Sequence, residues 1–206
     1  QASRLEKAAD YYLMGAATTS RAEIDYETKA DDVIKYFDLT LQQTEGLPIR
    51  TAMLFRPNCF FQICGNAFSD SVRVRYGLRY LAMLQEYQAY LKTRKRKFTN
   101  QRHFLNAYSM LACSSETLGR AQADAYFRRF VELNRRYPED ANFTPTYEYL
   151  FTAFRYYSSI NDKRKTLQVC DSMVTYLHSV DMGAHASQYV REKIALCDSL
   201  HLYKEG

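Results

Sequence analysis

The chain has 206 residues, of which 47% are hydrophobic, and its 28 basic and 23 acidic side chains give a net charge of +5. This hydrophobic content is enough to bury a core, which excludes a disordered chain. Seven glycines and four prolines are too few for the frequent turns of a β-sandwich or β-barrel, so an all-α fold is predicted.

The first two predicted helices form a hairpin. Ser3 and Glu6 have the spacing of a capping box, which predicts a helix from Ser3 to about Ala17. Ser20 and Glu23 have the same spacing, so the second helix is predicted to begin at Ser20 and to end at Gly46.

Two prolines define the third helix. Pro48 suits its first position, whereas Pro57 interrupts a helix interior, so a bend is predicted between Phe55 and Cys59. The fourth helix, from Ser69 to about Thr93, has the clearest helical periodicity. Its predicted buried stripe consists of Val72, Tyr76, Tyr80, Leu84, Tyr87 and Leu91.

Five further helices are predicted in the rest of the chain. Apolar periodicity places the fifth around residues 104–111 and the sixth from Leu118 to about Pro138. Thr144 and Pro145 predict the start of the seventh, Asn161 the cap of the eighth and Gly183 its end. The ninth carries Val190, Ile194, Cys197 and Leu200, and no segment alternates like a strand.

The apolar pattern repeats after 46 residues. Phe104, Tyr108 and Leu111 recur as Leu150, Phe154 and Tyr157, and the same shift takes Ala121 to Leu167, Phe127 to Met173 and Val131 to Leu177. A repeat of helix pairs predicts a solenoid in which each pair packs on the next.

The segment from Asn161 to Leu167 and the proline at Pro138 resemble the second-helix entry and the repeat-ending proline of tetratricopeptide repeats. The resemblance implies a right-handed array of helical hairpins with a groove for a peptide or partner protein. The spacing exceeds the usual 34 residues of that family and the chain has no Trp, so HEAT-like pairs stay open. One helical-repeat domain over residues 1–206 is expected: a divergent hairpin (1–46), repeats at 48–93, 99–137 and 144–182, and an unpaired helix (184–203).

The two ends of the chain predict a piece of a longer protein. The sequence starts at Gln1 without an initiator Met, and a ninth, unpaired helix precedes Gly206. Such arrays resemble the extracytoplasmic sensor segments of some bacterial membrane-bound signalling proteins. We therefore expect a sensor or scaffold segment that binds a protein, a peptide or a small ligand, with the compartment open and the periplasm favoured over the cytoplasm. No apolar run within the chain is long enough to span a membrane.

No catalytic motif is present. The four histidines (His103, His178, His185 and His201) lie in no HExxH or Cys-paired pattern, and nucleophile elbows, phosphate loops and dinucleotide fingerprints are missing. No enzymatic activity, metal or cofactor is expected, although a site dispersed over several helices stays open. The five cysteines (Cys59, Cys64, Cys113, Cys170 and Cys197) have no metal-binding spacing and are predicted to be buried thiols.

Tyrosine and arginine, which are enriched at interaction hot spots, supply the candidate partner-binding residues. Tyr11 and three other tyrosines flank the predicted stripes, with arginines nearby. The predicted partner-binding set is Arg79, Tyr90, Tyr126, Arg128, Arg129, Arg155 and Tyr156. The alternative is that these tyrosines only line the rim of the core.

Basic residues are concentrated in one part of the chain. Residues 51–100 contain nine basic and two acidic side chains, against six and nine in residues 1–50. This cluster predicts, as an alternative function, nucleic-acid binding through Arg73, Arg75, Arg79, Lys92, Arg94, Lys95, Arg96 and Lys97. The simpler interpretation is a set of cations at a helix C-terminus, where they interact favourably with the helix dipole.

Overall fold

The computed structural model describes residues 3–22, 26–67 and 69–202. The chain is 81% helical, and its described ranges contain eleven α-helices and no strand, which confirms the all-α prediction. Two of these helices are single turns, and the other nine are longer. The chain divides into two compact units, Gln1–Leu111 (unit 1) and Ala112–Gly206 (unit 2).

Unit 1 contains five helices and most of a sixth, whose last residue falls in unit 2. α1 packs on α2, α2 on α4 and α4 on α5. The helices are α1 (Arg4–Ala22), α2 (Tyr26–Gln43), α3 (Ile49–Ala52), α4 (Arg56–Asn66), α5 (Asp70–Thr93) and α6 (Arg102–Ala112).

The two predicted helix starts in the first hairpin have different outcomes. The Ser3 amide donates to the Glu6 carboxylate and the Glu6 amide to Ser3 Oγ at 3.2 Å, so the capping box is confirmed. The prediction of a helix start at Ser20 is wrong, because α1 continues to Ala22 and Ser20 Oγ donates to the Ala16 carbonyl at 3.1 Å. Glu23, its predicted capping partner, lies outside the described residues.

The proline-rich segment forms two helices rather than one bent helix. α3 is a single turn after Pro48, and Pro57 occupies the first turn of α4, where its missing N–H costs nothing. The break lies at residues 53–55, slightly before the predicted bend.

The predicted stripe of α5 forms part of the core of unit 1. Tyr76, Tyr80 and Leu84 are buried as predicted, whereas Val72, Tyr87 and Leu91 are only half-buried. Gly77 also faces inward, and an added Cβ there would lie 3.0 Å from Leu111 Cδ2 of α6. The glycine therefore lets α6 approach α5 closely.

Unit 2 contains five helices. Each packs on the next along the chain, from α7 to α11. They are α7 (Ser115–Leu118), α8 (Arg120–Arg136), α9 (Pro145–Ser159), α10 (Lys163–Ser179) and α11 (Ser187–Ser199), with 3-10 helices at Pro138–Asp140 and Gly183–Ala186. The sequence did not predict α7: Leu118 belongs to it, and Gly119, at φ +77°, separates it from α8.

The caps in unit 2 refine the predicted boundaries. Thr144 Oγ1 accepts from the Tyr147 amide at 3.2 Å, which confirms that cap. The predicted cap at Asn161 is off by one residue: Asp162 caps α10, while Asn161 has φ +55° and ends the preceding helix. Asp181, at φ +58°, occupies the corresponding position after α10, in place of the predicted Gly183.

Four of the five thiols are buried as predicted (Cys59, Cys64, Cys113 and Cys170), and Cys197 is half-buried. Burial raises the pKa of Cys59 and Cys64 to about 12 and that of Cys170 to about 11. A high pKa leaves little thiolate at neutral pH, so these thiols are poor nucleophiles.

Candidate functional site

The most distinctive surface of unit 1 begins where α5 ends. The amides of Lys95 and Arg96 donate to the carbonyls of Lys92 and Leu91, at 3.0 and 2.9 Å, and Lys95 has φ +53°. This is a Schellman motif with lysine at the position usually taken by glycine. The motif reverses the chain immediately after α5, so the basic residues flank a tight turn.

The predicted basic residues 92 and 94–97 are all exposed at this turn. In the described part of the chain none of them pairs with a carboxylate within 4.0 Å. The Arg94 guanidinium lies over the Tyr90 ring, 4.9 Å from its centroid. The turn therefore concentrates positive charge that the fold leaves uncompensated.

A cleft of about 460 Å³ opens beside this turn and is called here the cationic cleft. Arg50, Arg96, Lys97 and His103 supply its basic groups. Among the residues that the structure describes, none of those lining it carries a carboxylate. The remaining lining residues are Met53, Leu54, Tyr87, Leu91, Phe98, Thr99 and Asn100.

Aromatic packing fixes one wall of the cationic cleft. The Phe98 ring meets Tyr87 edge to face at 6.0 Å and Phe104 at 5.3 Å. His103 Nδ1 lies 2.8 Å from the hydroxyl of the buried Tyr80, which anchors the imidazole to α5. On the other side Leu54 is 73% exposed, a large apolar side chain left in solvent.

The other three arginines of the predicted nucleic-acid set do not join this turn. Arg73 is used internally: Nη2 donates to the Ala67 carbonyl at 2.8 Å and Nη1 to Asp70 at 3.2 Å. Arg75 and Arg79 are exposed, and their guanidinium groups lie over the Tyr76 ring, 4.9 and 5.2 Å from its centroid. The structure thus divides the set into a basic turn and a separate arginine cluster.

The predicted partner-binding residues fall in both units. Arg79 and Tyr90 lie in unit 1, where Tyr90 is half-buried and stacks on Tyr87 at 6.1 Å. Tyr11, which the sequence also placed beside a stripe, is half-buried on α1.

The other five residues of the set lie in unit 2, on α8 and α9. Arg128 and Arg129 are exposed on α8, where Arg129 pairs with Glu132 at 3.0 Å, and Tyr126 is half-buried. Arg155 is half-buried on α9, with its guanidinium over the Phe151 ring.

The predicted position of Tyr156 beside the apolar stripe is wrong. Its side chain is only 6% exposed and stacks on Phe127 at a centroid distance of 4.1 Å. Its hydroxyl donates to Asp124 Oδ1. Burial, and then the Asp124 carboxylate, raise the pKa of Tyr156. Tyr156 is therefore a core residue that joins α9 to α8.

Sequence reasoning missed half of the cationic cleft. Arg50, Met53 and Leu54 come from α3 and the residues after it, and His103 comes from α6. The four basic positions are spread over more than fifty residues, so no local pattern identifies them. The basic run and the aromatic residues beside it were the only local signals.

The described residues contain no group of three or more His, Cys, Asp or Glu side chains arranged to hold a metal ion. Within the same ranges, no helix is both long and apolar enough to cross a membrane.

No protein-family model, curated protein or solved structure matches this chain. The geometry of the described residues therefore carries the functional argument.

Proposed function

We propose that the chain is a non-enzymatic binding module whose cationic cleft takes an acidic segment of a partner protein. The segment combines carboxylates with one aliphatic or aromatic side chain. The observation that carries this proposal is that one cleft combines exposed apolar surface with the basic side chains of Arg50, Arg96 and Lys97, which form no ion pair within the described residues.

The basic groups and the apolar surface of the cationic cleft both contribute to binding in this proposal. Exposed ion pairs contribute little by themselves, typically below about 1 kcal/mol. Burying apolar surface contributes about 25 cal/mol for each Å² removed from water. Leu54 and the edge of Phe98 therefore supply affinity, whereas Arg50, Arg96 and Lys97 select an acidic segment and accelerate its association.

The proposed architecture is a tetratricopeptide-like array of helical hairpins. It is supported by the 46-residue shift, which pairs buried Phe104 with buried Leu150 and buried Phe127 with buried Met173. In unit 2 every helix packs on its neighbour in sequence, as such arrays require. Small-angle scattering tests it: a globular chain of this length has a radius of gyration of about 17 Å, and an array exceeds that value.

We place the module in a sensor or scaffold segment of a larger bacterial signalling protein, exported to the periplasm. The support is the likeness of this repeat pattern to extracytoplasmic sensor segments. The parent open reading frame tests it: a signal sequence upstream, and a membrane helix with a signalling domain downstream, are expected. A reading frame with neither would contradict it.

Nucleic-acid binding is the second candidate function. The observation that favours it is the group of five exposed cations at residues 92 and 94–97, none of which has an ion-pair partner among the described residues. In this case binding depends on phosphate contacts alone and weakens steeply with salt.

Fluorescence anisotropy separates the two functions. The probes are a labelled peptide of aspartates and glutamates around one leucine, the same peptide with alanine for leucine, and labelled duplex DNA and RNA. The double variant Arg96→Gln/Lys97→Gln and the single variant Leu54→Ala test the two halves of the cationic cleft. Lys92→Gln is the matched control, because Lys92 is exposed at the same turn but does not line the cleft.

An acidic-segment module binds the leucine peptide better than the alanine peptide and loses affinity in both cleft variants but not in Lys92→Gln. A nucleic-acid-binding protein binds the duplexes, and its affinity for them does not change in Leu54→Ala. Lys92→Gln lowers that affinity as much as the replacement of any other single cation. Equal affinity for the two peptides would contradict the proposed function.

A further inference from the structure

A second pocket of unit 1 differs from the cationic cleft in its charge. This polar pit, of about 260 Å³, is lined by two arginines (Arg56 and Arg79) and two glutamates (Glu45 and Glu86), above Phe60 and Met83. Its ionised side chains therefore sum to zero. Its volume lies just below the roughly 300–1,000 Å³ of drug-sized ligand sites, which limits the occupant to a small molecule.

Arg56 is held rigidly at the edge of the pit. Its Nε donates to Thr44 Oγ1 at 3.0 Å and its Nη2 to the Thr44 carbonyl at 2.6 Å. Burial lowers the pKa of Arg56, and the charges of Glu45 and Glu86 oppose that effect. In the described part of the chain no carboxylate lies within 4.0 Å of it. A positioned, partly dehydrated guanidinium without an ion pair is suited to an incoming carboxylate.

Arg79 faces the same pit from α5. Its guanidinium lies over the rings of Phe60 and Tyr76, at 5.7 and 5.2 Å from their centroids. Its ion pair with Glu45 is long, at 3.8 Å, and both side chains are exposed. An exposed pair of this length is weak, so a ligand can replace either partner at little cost.

The two glutamates determine which ligand fits. A polyanion would face Glu45 and Glu86, and a simple cation would face both arginines. A zwitterion satisfies both pairs, with its carboxylate at the arginines and its ammonium at the glutamates. Phe60 and Met83, which are 4% and 5% exposed, line the pit together with the exposed Ala82, so its lining includes a small apolar surface beside the charges. We propose that the polar pit binds a free α-amino acid with an apolar side chain.

Isothermal titration of the whole chain with L-leucine and L-phenylalanine tests this proposal. The N-acetyl derivative removes the ammonium charge and the amide derivative removes the carboxylate. Each is expected to bind about tenfold or more weakly than the free amino acid, because each loses a charge-assisted contact. No heat from either amino acid up to about 10 mM, or equal affinity for the blocked derivatives, would overturn it.

Variants on the surface of α5 assign the binding to the pit. Arg79→Gln and Glu86→Gln change exposed side chains, so folding is preserved, and each is expected to weaken the amino acid about tenfold. Arg75→Gln is the matched control: it is exposed on the same helix and outside the pit. Equal losses in Arg75→Gln and Arg79→Gln would overturn the assignment. The variant Arg96→Gln/Lys97→Gln is expected to keep amino-acid binding, which distinguishes this proposal from that of the cationic cleft.

Discussion

Units 1 and 2 contain the same kind of tyrosine–aspartate hydrogen bond but differ in the side chains that pack over the tyrosine ring. In each, a buried tyrosine donates a hydrogen bond to an aspartate on another helix: Tyr76 of α5 to Asp38 of α2 at 2.6 Å, and Tyr156 of α9 to Asp124 of α8. In unit 1 the guanidinium groups of Arg75 and Arg79 lie over the Tyr76 ring. In unit 2 the Phe127 ring stacks on Tyr156.

The two tyrosine rings are therefore covered by different kinds of side chain. An arginine over an aromatic ring keeps its charge in solvent, so the Tyr76 region of unit 1 borders a polar pit. In unit 2 the Phe127 ring stacks on Tyr156 and covers it with apolar rather than charged surface. Tyr–Asp hydrogen bonds of the same kind thus lie beside charged side chains in one unit and beside an aromatic ring in the other.

The largest loss of stability is expected at high pH. It tests the buried tyrosines and thiols that both units contain. Burial raises the pKa of Tyr76 in unit 1 and that of Tyr189 to about 12 in unit 2, alongside the raised thiol pKa values. Below about pH 8.5 the folded and unfolded states hold the same protons on these groups, and the stabilisation is complete. Above that pH the unfolded state releases protons first, so stability falls steadily towards pH 12.

Pulsed labelling with a methanethiosulfonate, followed by peptide mass spectrometry, measures this loss in each unit. Cys64 reports on unit 1 and Cys170 on unit 2, since both are buried. Both are expected to become reactive in the same window, between about pH 10 and pH 12. If either thiol stays protected throughout that window, its unit does not lose stability as predicted.

Removing the covering group should affect the two units unequally. Phe127→Ala deletes a buried ring from unit 2 and is expected to cost about 3–5 kcal/mol in the free energy of unfolding. Arg79→Ala removes an exposed guanidinium from unit 1 and should cost less than about 1 kcal/mol. Urea denaturation followed by circular dichroism gives both values. Phe143→Ala, at a ring that is 73% exposed in unit 2, is the matched control with little expected change.

Removing the tyrosine hydroxyls should affect the two units alike. Tyr76→Phe and Tyr156→Phe each delete a hydrogen bond to a carboxylate, which is worth about 1.5–3 kcal/mol. The same denaturation experiment measures both losses. A loss of stability in only one unit would show that the aspartate of the other unit is satisfied by water. The tyrosine–aspartate hydrogen bond would then stabilise one unit alone.

Two glycines give the smallest predicted effects, of opposite sign. Gly119 has φ +77° and ψ +153°, a region open almost only to glycine, so Gly119→Ala is expected to destabilise unit 2 by about 1 kcal/mol or more. Gly65 lies exposed in α4 with no atom within 4 Å of an added Cβ, so Gly65→Ala should stabilise unit 1 by about 0.5–1 kcal/mol. Thermal unfolding of the two variants checks both signs, and a stabilised Gly119→Ala would contradict the first.

Local rules succeeded where the signal was local. The capping box at Ser3 and the proline start of α9 depend on three or four adjacent residues, and both are confirmed. The same capping rule failed at Ser20, because its hydroxyl found an acceptor one turn earlier in α1. A serine within a helix and a serine at a helix start have the same local sequence signal.

Helix ends were harder to predict because the chain rarely uses glycine for them. Four helices end in residues with positive φ that are not glycine: Lys95, Asn161, Asp181 and His201. Each is part of a Schellman pattern of backbone hydrogen bonds. Since lysine, aspartate and histidine also occur freely inside helices, composition does not mark these positions.

By itself the sequence determined the all-α class, most of the helices and half of the buried stripe of α5, because periodicity and caps are properties of neighbouring residues. Tertiary structure alone decided that Tyr156 enters the core while Tyr90 stays at the surface beside Arg94. It also decided that Arg50 joins Lys97 at one cleft, and Arg56 joins Arg79 at another. Such pairs lie tens of residues apart in the sequence, so only the folded chain brings them together, as where α4 packs on α5.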